Sequence, residues 1–363
     1  MNNNNINSIN NESGKARIID IARLANVSIG TVDRVIHNRG EVSQTTREKV
    51  LAIIRELNYQ PDILARTLAK KHVYKFGILL PEVNKDSSFW KGPQNGIENA
   101  LKNIGHYNII IEKFLFNQFD RKSFREQAHK LIEYHPDAVL ITPVYYEESV
   151  QLVEQCMDMN LPYAFINSNL EKFNTLSFVG QNSFQSGYLA AKLISYGLTE
   201  SANIAVINIS KALDSHKHIL SRQQGFESFY QENSQLKHHI IMKEIHDKNE
   251  NTTNKILERL FRETQKIKGI FVTNSKVFKI ARYIKNNGLQ SVRLIGYDLI
   301  DENISYLEEG VIDFLISQRP VEQGYAGVMT LFNHVILNKE VSKEQYLPID
   351  IITKENYKYY INN

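Results

Sequence analysis

Four polar residues stand where apolar runs end: Asn167 after YAFI, Asn274 after IKGIFVT, Asp298 after VRLIGY and Gln318 after IDFLIS, with Pro81 closing FGILL. If those runs are strands of a doubly wound sheet, these are the carboxyl ends beyond which such sheets bind ligands. Amides and a carboxylate there suit hydrogen bonding to a small polar molecule. Catalytic groupings are missing: the chain has no G-x-S-x-G elbow, no P-loop, no G-x-G-x-x-G after its first strand and no H-E-x-x-H. Among its 11 histidines, His238-His239 and His216-x-His218 have spacings that metal ligands can use, but both pairs lie in polar stretches expected at the surface. A lone cysteine, Cys156, can neither close an intramolecular disulfide nor build a cysteine metal site. The expectation is a binding protein, not an enzyme, with no metal and no cofactor.

The ionisable residues are unevenly spread. Of 363 residues, the first 71 hold 11 Lys+Arg against 7 Asp+Glu, a balance of +4, while the rest of the chain sums to −1. That is the layout of a small polyanion-binding head on a near-neutral body, although a helical head can also carry such charge as a solvated face. The first residues lack a basic-then-apolar signal layout, and no window holds about 18 consecutive apolar residues. A cytoplasmic, non-membrane protein is expected.

The elements that must position these residues follow from periodicity. Residues 1–14 include seven asparagines and almost nothing apolar, so they are expected to be a disordered tail. Ile18, Ile21, Ala22 and Ala25 share a helix face, Ser28 is placed to cap a second helix through Ile36, and Asn38-Arg39-Gly40 reads as a turn. Ser43 is placed to cap a third helix to about Leu57, with Val50, Ile53, Ile54 and Leu57 inward. This frame over residues 15–60 is that of a helix-turn-helix domain, and equally of a three-helix bundle with another purpose. In PDILARTLAKKH, residues 61–72, Ile63, Leu64 and Leu68 make one apolar edge on a segment too short to hold a helix alone, which predicts folding against a partner.

From residue 73 strands alternate with helices. Strands are expected at 76–81, 107–114, 138–143, 163–168, 203–209, 267–274, 292–298 and 312–318, with helices such as 91–104, 121–134, 183–196 and 277–287 between them. The alternation predicts parallel, doubly wound α/β sheets, and its length predicts two lobes. The end, ITKENYKYYINN, reads as a last strand and a short tail.

One stretch carries a specific resemblance. IIDIARLANVSIGTVDRVIHNRGEVSQTTREKVLAIIRELNYQPDILARTLAKK, residues 18–71, resembles the DNA-binding head of the LacI (lactose-repressor) family nearly without gaps, through D-I-A-x-x-A-x-V-S, then T-V-x-R-V, then T-R-E-K-V. The body, with its LIGYD and ISQRP, is similar to that family's effector domain of the periplasmic-sugar-binding type. The resemblance implies lobes of about 73–180 with 319–345, and 181–318 with 346–363.

It also implies roles. The second helix would enter the major groove with Ile29, Gly30 and Arg34 at base edges, Arg34 being able to donate twice to a guanine. Ser28, Thr31, His37, Asn38 and Thr46 would reach phosphate oxygens, whereas Ala25, Val27, Val32 and Val35 read as bundle core. Residues 61–71 would be a hinge helix, Leu68 wedging between base steps of the minor groove, Ala65 allowing close packing and Arg66 reaching phosphate or groove floor. In the body, Phe89 and Trp90 would lie against a sugar ring, and Arg222 with Asn167, Asn274, Asp298 and Gln318 would hold its hydroxyls.

Departures qualify the pattern. Asp33 stands where the family has serine, and the Ile29-Gly30 pair lacks a polar or aromatic member. Asn167-Ser168 replaces an aspartate and an arginine, and Ser275 replaces an aspartate, which predicts a less charged site and a different or less hydroxyl-rich ligand. The implied protein is a homodimeric regulator, most naturally a repressor, that binds a pseudo-palindromic double-stranded DNA operator and answers to a small carbohydrate effector. A solute-binding protein or a sugar-processing enzyme with an accessory basic head is the alternative, and salt-sensitive retention on heparin separates the two.

Overall fold

The structure, a computed structural model, describes residues 16–36, 39–57, 59, 72–85, 87–198, 200–210, 217–246, 250–289 and 291–361. The chain divides into two compact units between residues 71 and 72. The 1–14 tail and the hinge residues 61–71 lie outside the described residues.

The first unit contains three helices, α1 (Ile18–Ala25), α2 (Ile29–Ile36) and α3 (Gln44–Glu56). Each start has a local cause. Asp20 accepts the Arg17 backbone N–H at 3.0 Å and places a negative charge at the amino end of α1. Asn26, left-handed at φ 55°, stops that helix. Ser28 Oγ accepts the Thr31 N–H at 3.1 Å to open α2, and Ser43 Oγ accepts the Thr46 N–H at 3.3 Å to open α3. Ile21, Ala22, Ala25, Val32, Val35 and Val50 form the core, with Val27, Ile53, Ile54 and Leu57 packed round it.

The second unit has two six-stranded sheets. The first contains β1 (Tyr74–Pro81), β2 (Ile109–Phe116), β3 (Ala138–Ile141), β4 (Tyr163–Ile166), β5 (Ser177–Gly180) and β11 (Glu344–Tyr346). The second contains β6 (Asn203–Ser210), β7 (His239–His246), β8 (Ile267–Val272), β9 (Arg293–Tyr297), β10 (Phe314–Ser317) and β12 (Asp350–Ile352). Their orders, β2-β1-β3-β4-β5-β11 and β7-β6-β8-β9-β10-β12, repeat one winding. All pairings are parallel except β10 with β12. Phe76 to Pro81 are buried without alternation, as a parallel strand covered on both faces requires.

Helices α4 (Lys91–Ile104), α5 (Arg121–Glu133) and α6 (Tyr146–Asp158) follow the early strands of the first sheet. Helices α7 (Ser183–Ser195), α8 (Lys217–Glu232), α9 (Glu250–Glu263), α10 (Val277–Asn286) and α11 (Asp301–Glu308) belong with the second. α12 (Pro320–Val335) returns to pack on the first sheet, and α13 (Lys358–Ile361) closes the described chain. The chain thus crosses between sheets after β5, after β10 and after β11. Gln181, at the first crossing, donates to Ser317 O at 2.9 Å, at the second.

Four strands escape the sequence reading: β5, β7, β11 and β12. The end of the chain also differs from the expected strand and tail, since Asp350–Ile352 is a three-residue strand and Lys358–Ile361 a helical turn.

Both lobes bring two helices together through paired glycines. A Cβ on Gly96 of α4 would sit 1.9 Å from Val321 O of α12, and one on Gly187 of α7 would sit 1.9 Å from Arg222 O of α8. The second contact fixes the backbone of a cleft residue. Gly187→Ala is therefore expected to destabilise the protein by about 1–3 kcal/mol, because a backbone carbonyl cannot yield as a flexible side chain does. A lowered urea midpoint with unchanged slope is the readout, and an unshifted midpoint would refute the close packing.

Candidate functional site

In the first unit the structure places Ser28, Ile29, Gly30, Thr31 and Arg34 at the start and on the body of α2. That helix turns Val32 and Val35 into the core and leaves Gly30, Arg34 and the 46% exposed Ile29 in solvent. Ser28 and Thr31 hydroxyls lie 2.9 Å apart within the cap, and Ser43 donates to Thr46 Oγ1 at 2.8 Å. Ser28, Thr31 and Thr46 thus have capping work, while their oxygens retain lone pairs. Asp33 is half-buried. His37, Asn38, Ala65, Arg66 and Leu68 lie outside the described residues.

In the second unit, Phe89, Trp90, Asn167, Arg222, Asn274, Asp298 and Gln318 all line one cavity between the lobes. Phe89 and Trp90 sit in a 3-10 turn, Ser88–Trp90, after β1, with ring centroids 5.0 Å apart and near-perpendicular planes. Trp90 Nε1–H donates to Gln118 Oε1 at 2.6 Å, and the Tyr145 hydroxyl donates to Gln118 O at 2.9 Å, so the aromatic wall is held by its own hydrogen bonds. Asn167 and Asp298 follow β4 and β9, the fourth strand of each winding, and both are left-handed, at φ 68° and 70°. Asn and Asp tolerate that region better than other side chains, and such outliers gather at binding sites.

Arg222, 2% exposed, is the centre of the polar wall. Its Nη1 donates to Thr273 O at 2.7 Å, its Nη2 donates to Gln318 Oε1, and its guanidinium lies 3.8 Å from the Tyr297 ring centroid. Gln318 Nε2 in turn donates to Asp298 Oδ2 at 2.8 Å and Oδ1 at 3.0 Å. One amide therefore joins a buried cation to a buried carboxylate. Asn274 holds its loop by donating to Ile209 O at 2.8 Å and accepting the Lys276 N–H at 3.1 Å, and its amide oxygen keeps a second lone pair.

Burial pushes the Asp298 carboxyl up to about 7, against the pull of Arg222 and of the Gln318 hydrogen bonds. The sign for stability follows. Between the ordinary carboxylate range and about 7, the folded protein keeps a proton that the unfolded chain has released, so this group's contribution falls as pH rises through that window. Asp298→Asn is expected to gain stability on wild type between pH 5 and pH 8. Parallel stability profiles for the two proteins over that range would contradict it.

Several cleft residues were not foreseen. Gln118, Phe119, Tyr145, His218 and Lys276 also line the cavity. His218, expected on the surface, instead places Nδ1 2.8 Å from Ser168 Oγ across the cleft, and His216 lies outside the described residues. Lys217 pairs with Glu171 at 2.9 Å, and Lys276 Nζ lies 5.4 Å from the Phe119 ring centroid, both again between lobes. Lys276, two residues beyond a strand-end asparagine, adds a basic side chain to the lining that the sequence reading did not name. His238 accepts the Ala202 N–H at 3.2 Å, and burial lowers its pKa, while His239 opens β7.

Comparison with known proteins agrees with this architecture. The profile of the periplasmic binding protein domain matches residues 76–340, and that of bacterial regulatory proteins of the lacI family matches residues 17–62. The HTH-type transcriptional regulator DegA of Bacillus subtilis is 28% identical over 194 residues, covering 53% of this chain and 55% of DegA. The match spans about half the length of DegA and of the regulator RegA of Clostridium saccharobutylicum. The ribose operon repressor of Haemophilus influenzae is 26% identical over 328 residues, 88% of this chain and 92% of the relative. A crystal structure from Bacteroides fragilis, described as a LacI transcriptional regulator, superposes with a TM-score of 0.73 at 32% identity, over 80% of this chain and all of that one. The chain belongs to the lacI family of bacterial regulatory proteins and carries a periplasmic-binding-protein domain behind its helix-turn-helix head.

Proposed function

We propose that this chain acts in the cytoplasm as a homodimeric transcriptional repressor that reads a pseudo-palindromic DNA operator and is controlled by a small carbohydrate bound between its lobes. The observation that carries the reading is the presence, in one chain, of a helix-turn-helix head whose second helix exposes Arg34 and of a cleft lined by aromatic rings and amides. A relative named as a ribose operon repressor supports a sugar as the effector class. A solute receptor or a sugar-processing enzyme would account for the cleft but would give the +4 head no role.

In this reading α2 lies in the major groove. Arg34 donates to a guanine, Ile29 meets a thymine methyl, and Ser28, Thr31 and Thr46 reach phosphates beside His37 and Asn38. Paired hinges fold at the operator centre, with Leu68 as wedge and Ala65 and Arg66 at its flanks. The effector, held by Asn167, Arg222, Asn274, Asp298 and Gln318 against Phe89 and Trp90, changes lobe orientation and weakens the hinge pairing. Such coupling is typically about 1–3 kcal/mol and reciprocal: DNA must weaken the effector by the factor that the effector weakens DNA.

The test is operator selection followed by fluorescence anisotropy. Arg34→Ala is expected to lose about 1–3 kcal/mol of operator affinity and to relax base preference at one position of each half-site. Unchanged affinity and unchanged preference would remove Arg34 from the interface. Loss of all duplex binding at low salt by the wild type would remove the reading itself.

A further inference from the structure

We infer that Gln181 is a positioning residue for the effector response. Its amide ties the three crossings between the lobes into one hinge, through which the state of Gln318 in the cleft sets the angle between the lobes. The inference deepens the reading of the cleft as the effector site and rests on it for what moves Gln318.

Two bodies joined by three independent linkers can bend, slide and twist, whereas linkers fastened to one another leave little beyond a single bending motion. The crossings are fastened, and Gln181 is at their centre. It follows β5 directly and is 3% exposed. Its Nε2 donates to Ser317 O at 2.9 Å, where the second crossing begins, and lies 3.5 Å from Pro348 O on the third. The longer distance is at the outer limit of a hydrogen bond, so a small rotation of the lobes either tightens or breaks it. Gln181 Oε1 has no donor among the described residues, so the amide serves as a donor. Burying an amide costs more than burying an apolar side chain of the same length, and what this one supplies is a donor shared between two crossings.

The second crossing is the one that reaches the ligand cavity. The Gln318 side chain lines that cavity and holds Arg222 and Asp298, while its backbone O accepts Gln323 Nε2 of α12 at 2.8 Å, on the first lobe. The next residue is held as firmly. Arg319, left-handed at φ 50°, pairs with Asp350 at 2.7 and 3.0 Å and with Glu322 at 2.8 Å. A long side chain keeps that backbone region only where its surroundings impose it. Asp350 opens β12 at the far end of the third crossing, and the Leu347 N–H donates to Gly180 O at 2.8 Å, closing the ring of contacts. A ligand that re-aims the Gln318 amide therefore pulls on a strand end that cannot move without Gln181 and the other two crossings. A buried amide that only satisfied nearby carbonyls would add stability and leave the lobe angle unaffected.

The test uses the full-length chain with Tyr146→Cys on the first lobe and Asp301→Cys on the second, both exposed, and a nitroxide on each. Cys156 is fully buried and its thiol is pushed up to about 12, so it escapes labelling. Distances between the labels are read by pulsed electron–electron resonance after dilution in an excess of unlabelled protein. Wild type is expected to give narrow, discrete peaks. Gln181→Met, similar in length but without a donor, is expected to replace them by one broad distribution. Gln318→Met, which releases Arg222 and Asp298 from the amide, is expected to shift the peaks in the wild-type background. In the Gln181→Met background it should shift nothing resolvable, the non-additivity that a shared hinge requires. Hydrogen exchange is the fold control: β3 and β8 stay protected in every variant, while the Leu347 amide exchanges faster in Gln181→Met. Gln181→Asn, an amide too short to reach both carbonyls, gives the same readout should the methionine variant fail to fold. Peaks as narrow in Gln181→Met as in wild type, or an equal Gln318→Met shift in both backgrounds, overturn the inference. No sugar is present in these arms, so that failure leaves the effector reading standing. Wild-type peaks that D-ribose, D-glucose and maltose all leave in place count against the effector reading and not against the hinge.

Discussion

Arg222→Ala is expected to cost about 3–5 kcal/mol of folding stability and to abolish every ligand-induced shift in melting temperature. The size follows from what the guanidinium touches. Removing it leaves Thr273 O and Gln318 Oε1 without their donor and opens a void against the Tyr297 ring. It also strips Asp298 of the cation that opposes the effect of burial on its carboxyl. Breaking a buried charged network by deleting one member is more damaging than replacing the whole by apolar groups, because the remaining polar atoms stay buried. Arg222→Lys supplies the internal control. It keeps the charge but cannot donate in two fixed directions, so an intermediate loss of stability and a nearly complete loss of ligand response are expected. Operator binding by the helix-turn-helix head should survive in both, since the head has its own core. A fully stable Arg222→Ala protein that still answers to its ligand would move the effector site elsewhere.

What could be read from the sequence divides along local and non-local lines. Ser28 and Ser43 are legible as caps because the amide each accepts from lies three residues on. The central strands are legible because parallel strands buried on both faces are continuous apolar runs, such as FGILLP. Glu344-Gln345-Tyr346 has no such signal, and it is a strand only because its backbone pairs with Phe178 to Gly180, far away in the chain. β7 is an edge strand with most side chains in or near solvent, so its apolar content reads as a mixed surface stretch. The site shows the same division. Asn167, Asn274, Asp298 and Gln318 could be named because strand ends are visible in the pattern. The amide of Gln318 joining Arg222 to Asp298 could not, because that contact closes over 96 residues. Nor could His218 opposite Ser168, which depends on how two lobes face each other.

Ile21→Ala, in the first unit, is expected to unfold the head while leaving the second unit intact. Ile21 is fully buried among Ala22, Ala25, Val32, Val35 and Val50, and nothing outside the head belongs to that core. Truncating a buried isoleucine to alanine costs about 2–5 kcal/mol, transfer and cavity terms together. A head of some 45 residues, at about 0.05–0.15 kcal/mol per residue, has a total stability of similar size, so the loss is not a fraction but nearly the whole. Operator affinity should then fall to the background of a charged, unfolded segment. Calorimetry of the wild type should resolve a small transition for the head and a large one for residues 72–363, the division at which the chain separates into two compact units. In Ile21→Ala the small transition should vanish, while the large one keeps its temperature and its response to ligand. The larger core has its own sources of stability in two sheets and their helices, and none of them is touched by the substitution. Movement of the large transition by several degrees would mean that the two units fold as one body, and the assignment of DNA reading and ligand sensing to separable units would fall with it.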